Sequence, residues 1–166
     1  MSNPMFKFED AQRMQCKASI MIEGLPGKGK TGLALLIGYY LSGQDWKKVF
    51  HIDTENKSAN LFVDIPASDG QKFGHFKVGQ LTSDIGFKPT NFIAFREAAI
   101  AAGAEVVIKD SISHAWQYKG GVLDILNDAK AKDSRYAKDS YAAWGDPEVV
   151  KEKNELLNLI RDHRAH

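Results

Sequence analysis

Short unbroken apolar runs punctuate this chain, separated by longer stretches in which apolar residues recur every three or four positions. Ala18-Ser-Ile-Met-Ile-Glu23 is the first run, and Gly24 stops it. Lys48-Val-Phe-His-Ile-Asp53 and Glu105-Val-Val-Ile-Lys109 are of the same kind, and Phe76-Lys-Val-Gly-Gln80 is a weaker one. Runs of this length predict buried strands. Thr31 to Leu41 is apolar nearly all round and is followed by Gly43. It predicts a helix covered on several sides, with the glycine as its stop. Pro89 in the first turn and Gly103 past the end bound a second helix, to about Ala102. Gly121 to about Lys132 predicts a third, with Val122, Ile125, Leu126 and Ala129 on one face. Lys130 to Ser140 is polar and mixed in charge, an exposed loop or a frayed helix end. Asp146 as N-cap and Pro147 at the first helical position open the last helix, carried by Val149, Val150, Leu156, Leu157 and Ile160. The order strand–helix–strand–strand–helix–strand–helix–helix predicts an α/β layer fold with a mainly parallel sheet.

With 166 residues the chain is expected to be a single domain, 1–166, able to bury a core without disulfides or metals. Apolar residues make up 43% and charged residues 26%, which excludes disordered and fibrous classes. Lys and Arg total 22 against 21 acidic residues, so no strong basic field exists for non-specific nucleic-acid binding. Cys16 is the single cysteine, which excludes a disulfide framework and a Cys-clustered zinc site. The apolar stretch from Leu33 to Leu41 is far short of the ~18 residues of a membrane span. The N-terminus lacks a signal-peptide layout. A soluble, cytoplasmic protein is therefore expected, with no membrane partner.

Gly24-Leu25-Pro26-Gly27-Lys28-Gly29-Lys30-Thr31 fits the pattern G-x-x-x-x-G-K-[ST] in full. The chemistry requires these types. Glycines let backbone N–H groups turn inward around phosphates, and the following helix, from Lys30 through Gly32, aims its N-terminus at the anion. Lys30 is expected to reach the β and γ phosphates and the Thr31 hydroxyl to bind Mg²⁺. Lys28, an additional cation in the loop, is expected to face solvent. Such a site needs a carboxylate at the end of an apolar strand to hold the Mg²⁺ water shell, and Val106-Val107-Ile108-Lys109-Asp110 supplies it. Lys109 must point away from Asp110, to a sheet edge or a carboxylate. The ligand is expected to be ATP, since Asn56-Lys57-Ser58-Ala59 lacks the Asp of a guanine-reading N-K-x-D.

Phe50-His51-Ile52-Asp53-Thr54-Glu55 adds a strand ending in carboxylates, and at this point the chain resembles the RecA-like P-loop ATPases. The resemblance implies that Glu55 orients the attacking water, with Asp53 the next residue to consider. It is nearest to short RecA-like, single-strand-annealing-associated nucleotide-binding proteins of bacteriophages. It rests on Asp53-Thr54-Glu55, Asp110-Ser-Ile-Ser-His114-Ala-Trp116 and Tyr141-Ala-Ala-Trp144-Gly145, and covers about residues 18–166. It implies Mg²⁺-dependent ATP hydrolysis in phage DNA recombination, repair or replication, inside the host cytoplasm. The partners it implies are single-stranded DNA, a phage recombination protein and further copies of the chain. A replicative helicase-type ATPase of the RepA or DnaB kind, and a nucleotide-binding remnant without turnover, are the alternatives. In that family another central strand follows the last helix, bringing a polar sensor. Here the chain reaches His166 instead, so the expected sheet lacks the strands after Asp110 and keeps a gap beside the first strand.

The five histidines, at 51, 75, 114, 163 and 166, show no metal-binding spacing. His114 is readable either as a neighbour of the nucleotide or as an ordinary loop histidine. Trp116 and Trp144 are expected to pack the last helices on the sheet. The basic segment with Lys130, Lys132, Arg135 and Lys138 is left between a solvated loop and a single-strand contact.

Overall fold

A computed structural model describes residue 10 and residues 18–55, 57–139 and 141–161. Three strands, β1 (Val49–Asp53), β2 (Lys77–Gln80) and β3 (Val106–Asp110), form a parallel sheet in the order β2-β1-β3. The helices are α1 (Lys30–Leu41), α2 (Pro89–Ala101), α3 (His114–Gln117), α4 (Val122–Lys132), α5 (Ser134–Lys138) and α6 (Pro147–Arg161). The protein is thus α/β, with a small parallel sheet flanked by helices, and these strands and longer helices lie where the apolar patterning predicts them.

Alternation along the strands builds two cores. On one face, Val49 packs with Leu35, Ala59, Phe73 and Phe76, against Val78 and Ile108. Gly38 lets α1 settle here, because a Cβ at that position would lie 3.3 Å from Val49 and 3.4 Å from Ile108 and Val106. On the other face, Ile52 joins Leu81, Phe87, Phe92, Val122, Leu156 and Leu159 under α2 and α6. Lys88 offers α2 no side-chain cap. Buried Glu152 of α6 serves instead, accepting hydrogen bonds from the Thr90 N–H and hydroxyl, both at 3.1 Å. The Asp146 cap of α6 is made as predicted, its Oδ1 accepting from Glu148 N–H at 3.0 Å.

Three expectations need correction. Ala18 to Glu23 is not a strand: it is irregular backbone, with Ile20 55% and Met21 61% exposed. β3 pairs only with β1, and its other edge carries no strand among the described residues, so Ala18 to Glu23 makes no ladder with it. α1 packs over β1 and β3 and against Phe62, but it is not covered all round, because Leu33 and Leu41 are exposed. The polar stretch after Lys132 contains helix α5 rather than loop alone, with Asp133 as its cap, accepting from Arg135 N–H at 2.9 Å. Trp144 packs into the cores as expected, whereas Trp116 is 39% exposed and stacks on Trp144 with ring centres 6.1 Å apart. Cys16, His163 and His166 lie outside the described residues. No helix among them is long and apolar enough to cross a membrane.

Candidate functional site at the carboxyl edge of the sheet

Parallel strands all end on one side, and there the polar residues converge. Register places Gln80, Asp53 and Asp110 opposite one another, one at the last position of each strand. The row lies on the α1 face, two residues beyond Val78 and Ile108. The start of α1 lies against this edge. The Thr31 hydroxyl donates to Asp110 Oδ2 at 2.5 Å, joining residues 79 apart in sequence.

The segment Gly24–Gly29 reaches α1 through left-handed backbone at Gly27 (φ 73°) and Gly29 (φ 77°), which glycine adopts without strain. The loop is exposed, including Leu25, Pro26 and Lys28, as expected for Lys28. Gly29 caps α1 without a side-chain hydrogen bond, and no acidic residue occupies the first turn. The negative charge at the positive end of the helix dipole comes instead from Asp110, through its hydrogen bond with Thr31. Lys30 closes the loop, donating from Nζ to the Leu25 carbonyl at 3.0 Å. Gly32 is buried against Phe62, whose ring a Cβ would meet at 2.9 Å.

Behind Asp110, buried His51 brings Nε2 to 3.7 Å from Oδ2, with neither ring nitrogen hydrogen-bonded. The His51 imidazole, together with the Thr31 hydroxyl and the charge of Lys30, holds the Asp110 carboxyl below its ordinary range, against the opposing pull of burial. Asp110 is thus an anion held ready between a hydroxyl and a helix N-terminus.

Asp53 is fully buried and its two oxygens are occupied. Oδ1 accepts from Glu55 N–H at 2.6 Å and Oδ2 from Ala59 N–H at 3.4 Å. It pins the turn that carries Glu55, whose own side chain is exposed at the end of β1. Thr54 ties the two strand ends together. Its N–H and hydroxyl donate to the Asp110 carbonyl at 2.8 and 3.1 Å, and its hydroxyl accepts from Ser111 N–H at 2.8 Å.

Comparison with protein-family models, curated proteins and solved structures finds no match. The site therefore rests on its own geometry.

That geometry brings together the residues singled out in the sequence. Gly24 to Gly32 and Asp110 meet through Thr31, and Glu55 stands on the neighbouring strand end. Lys109 points to the opposite face, as alternation requires, where its Nζ donates to the Leu159 carbonyl at 3.4 Å near the C-terminal end of α6. His114 is 9% exposed, between the rings of Phe87 and Tyr118 at 5.1 and 3.9 Å. Burial lowers its pKa, while the charges of Glu55 and Asp110 act the other way. Sequence reasoning missed His51, Thr54 and Gln80. Each sits in or beside an apolar strand, and only the fold shows that His51 and Gln80 share a face with Asp110 and that Thr54 ties the β1 and β3 ends together.

Proposed function

We propose that this protein binds ATP with Mg²⁺ on the Gly24–Thr31 loop and hydrolyses it. The observation that carries this reading is the Thr31–Asp110 hydrogen bond at the uncapped start of α1. It gives a complete G-x-x-x-x-G-K-T loop the strand-end carboxylate that phosphoryl chemistry needs.

The donor set fits Mg²⁺. A hydroxyl and a carboxylate are hard oxygen donors, and Mg²⁺ sites characteristically use one or two protein oxygens, with substrate phosphates and water completing the octahedron. No group of three or more His, Cys, Asp or Glu suited to a metal exists among the described residues, so a dedicated all-protein cage is not the model for this site. Thr31 and Asp110 would hold the ion, Asp110 through water. When bound, the ion neutralises charge on the β and γ phosphates. The backbone N–H groups of residues 24–32 orient the phosphates, and Lys30 exchanges the Leu25 carbonyl for a phosphate oxygen. Glu55, held by Asp53, accepts a proton from the attacking water. ATP is favoured over GTP because no N-K-x-D motif is present.

The resemblance to RecA-like phage ATPases supports a role in DNA recombination, repair or replication, with single-stranded DNA, a recombination protein and further copies of the chain as partners. A second reading, nucleotide binding without turnover, is favoured by one observation. The segment 18–23 that leads into the loop lies outside the sheet, so the loop is anchored firmly only through α1. Calorimetry with ATP·Mg²⁺ beside a phosphate-release assay separates the two. Lys30→Ala is expected to lower ATP affinity at least tenfold with the fold kept, as loss of a charge-assisted contact requires. Equal affinity in mutant and wild type would remove the loop from the site.

A further inference from the structure

Gln80 ends β2 in the same register row as Asp53 and Asp110, yet none of the functions above uses it. Its Nε2 is buried and donates to nothing among the described residues. The nearest carboxylate along the row does not accept from it: the two Asp53 oxygens accept from Glu55 N–H and Ala59 N–H. Two residues back on the same face, Val78 is packed into the Leu35 cluster, so the Gln80 side chain emerges where that apolar layer ends and the polar edge begins. Glu55 follows the middle strand, Asp110 ends the strand on one side of it, and Gln80 ends the strand on the other. Adjacent strands lie about 4.8 Å apart, so the Gln80 and Asp110 backbones flank Asp53, two residues before Glu55, at about 10 Å from each other. A neutral donor without an acceptor, in one register row with the metal-side carboxylate and on the strand next to the one that leads to Glu55, suits an anionic oxygen brought by a ligand.

We propose that Gln80 reads the terminal phosphate: its amide donates to a γ-phosphate oxygen, making the site prefer a nucleoside triphosphate to a diphosphate. This rests on the nucleotide reading above and assigns that site a specificity residue. It also carries a consequence that a structural glutamine would not. An unpaired buried donor destabilises the free protein, so replacing it with an apolar side chain of similar length should leave stability unchanged or raise it.

The test uses the full chain with Gln80→Met and Gln80→Glu, titrated separately with ATP·Mg²⁺ and ADP·Mg²⁺ by calorimetry and melted without nucleotide. For Gln80→Met the expected result is a Tm equal to or above wild type, ATP affinity down about tenfold or more, and ADP affinity unchanged. Gln80→Glu should lose ATP affinity at least as strongly, because a carboxylate faces the phosphate where a donor stood. Equal changes for ATP and ADP, no change, or retained ATP preference in Gln80→Glu would overturn the proposal. A clear loss of stability or failure to fold in Gln80→Met would also overturn it, by showing that the amide has a structural partner. Wild-type chain that binds neither nucleotide would overturn the nucleotide reading and this proposal together. Wild-type binding with an unaltered ATP-to-ADP ratio in the mutants overturns this one alone.

Discussion

Removing the Asp53 carboxylate should damage both the fold and the proposed chemistry, in amounts that can be separated. Asp53 is fully buried, and its Oδ1 receives Glu55 N–H at 2.6 Å. A hydrogen bond to a charged acceptor contributes about 1.5–3 kcal/mol net. The 3.4 Å bond from Ala59 N–H is at the long limit and adds roughly 0.5 kcal/mol. Asp53→Ala is therefore expected to cost about 2–4 kcal/mol. Asp53→Asn keeps one acceptor oxygen for Glu55 N–H but turns its amide NH₂ toward Ala59 N–H, and should cost about half as much. Urea unfolding measures both. If Glu55 acts on water and Asp53 only holds Glu55, Asp53→Ala should keep most nucleotide affinity and lose most turnover, while Asp53→Asn keeps part of it. Asp53→Ala within about 0.5 kcal/mol of wild type would refute the structural half, since the turn would then be held by something else. Complete loss of turnover in Asp53→Asn at wild-type stability would refute the other half and place Asp53 in the chemistry.

Glu55→Gln should leave nucleotide affinity and stability within error of wild type and abolish phosphate release, because an amide cannot take the proton from water; unchanged turnover would reduce Glu55 to an ordinary strand-end carboxylate. Glu152→Ala should destabilise by about 2–4 kcal/mol in urea, because α2 loses the side chain that accepts from the Thr90 N–H and hydroxyl in its first turn. The pH dependence of stability should show Asp110. Its folded pKa lies below the ordinary 3.8, so its contribution is complete above that value and is lost as pH falls through the depressed one, and Asp110→Asn should flatten that acid limb. His114 is lowered from 6.5 by burial, so it adds a contribution complete above 6.5 and lost as pH falls below it, removed in His114→Phe.

Local sequence determined the elements and the loop. Pro89, Asp146 and Pro147 mark helix starts that are readable locally, because capping and a fixed φ act within a few residues. The G-x-x-x-x-G-K-T pattern needs no distant partner to be recognised, and neither does an apolar run ending in Asp. What the sequence could not determine was which strands pair and in what register. Gln80 reads as an unremarkable polar residue ending a weak strand, and His51 as a strand residue, until pairing with Asp53 and Asp110 sets both on the α1 face. The same dependence explains Ala18 to Glu23. An apolar run becomes a strand only where another edge satisfies its N–H and C=O groups, and here none is paired with it. Thr31 and Asp110 meet across 79 residues because α1 and β3 pack on one sheet. The chemistry of each group is local, but its partner is chosen by strand register and helix packing, which exist only in the folded chain.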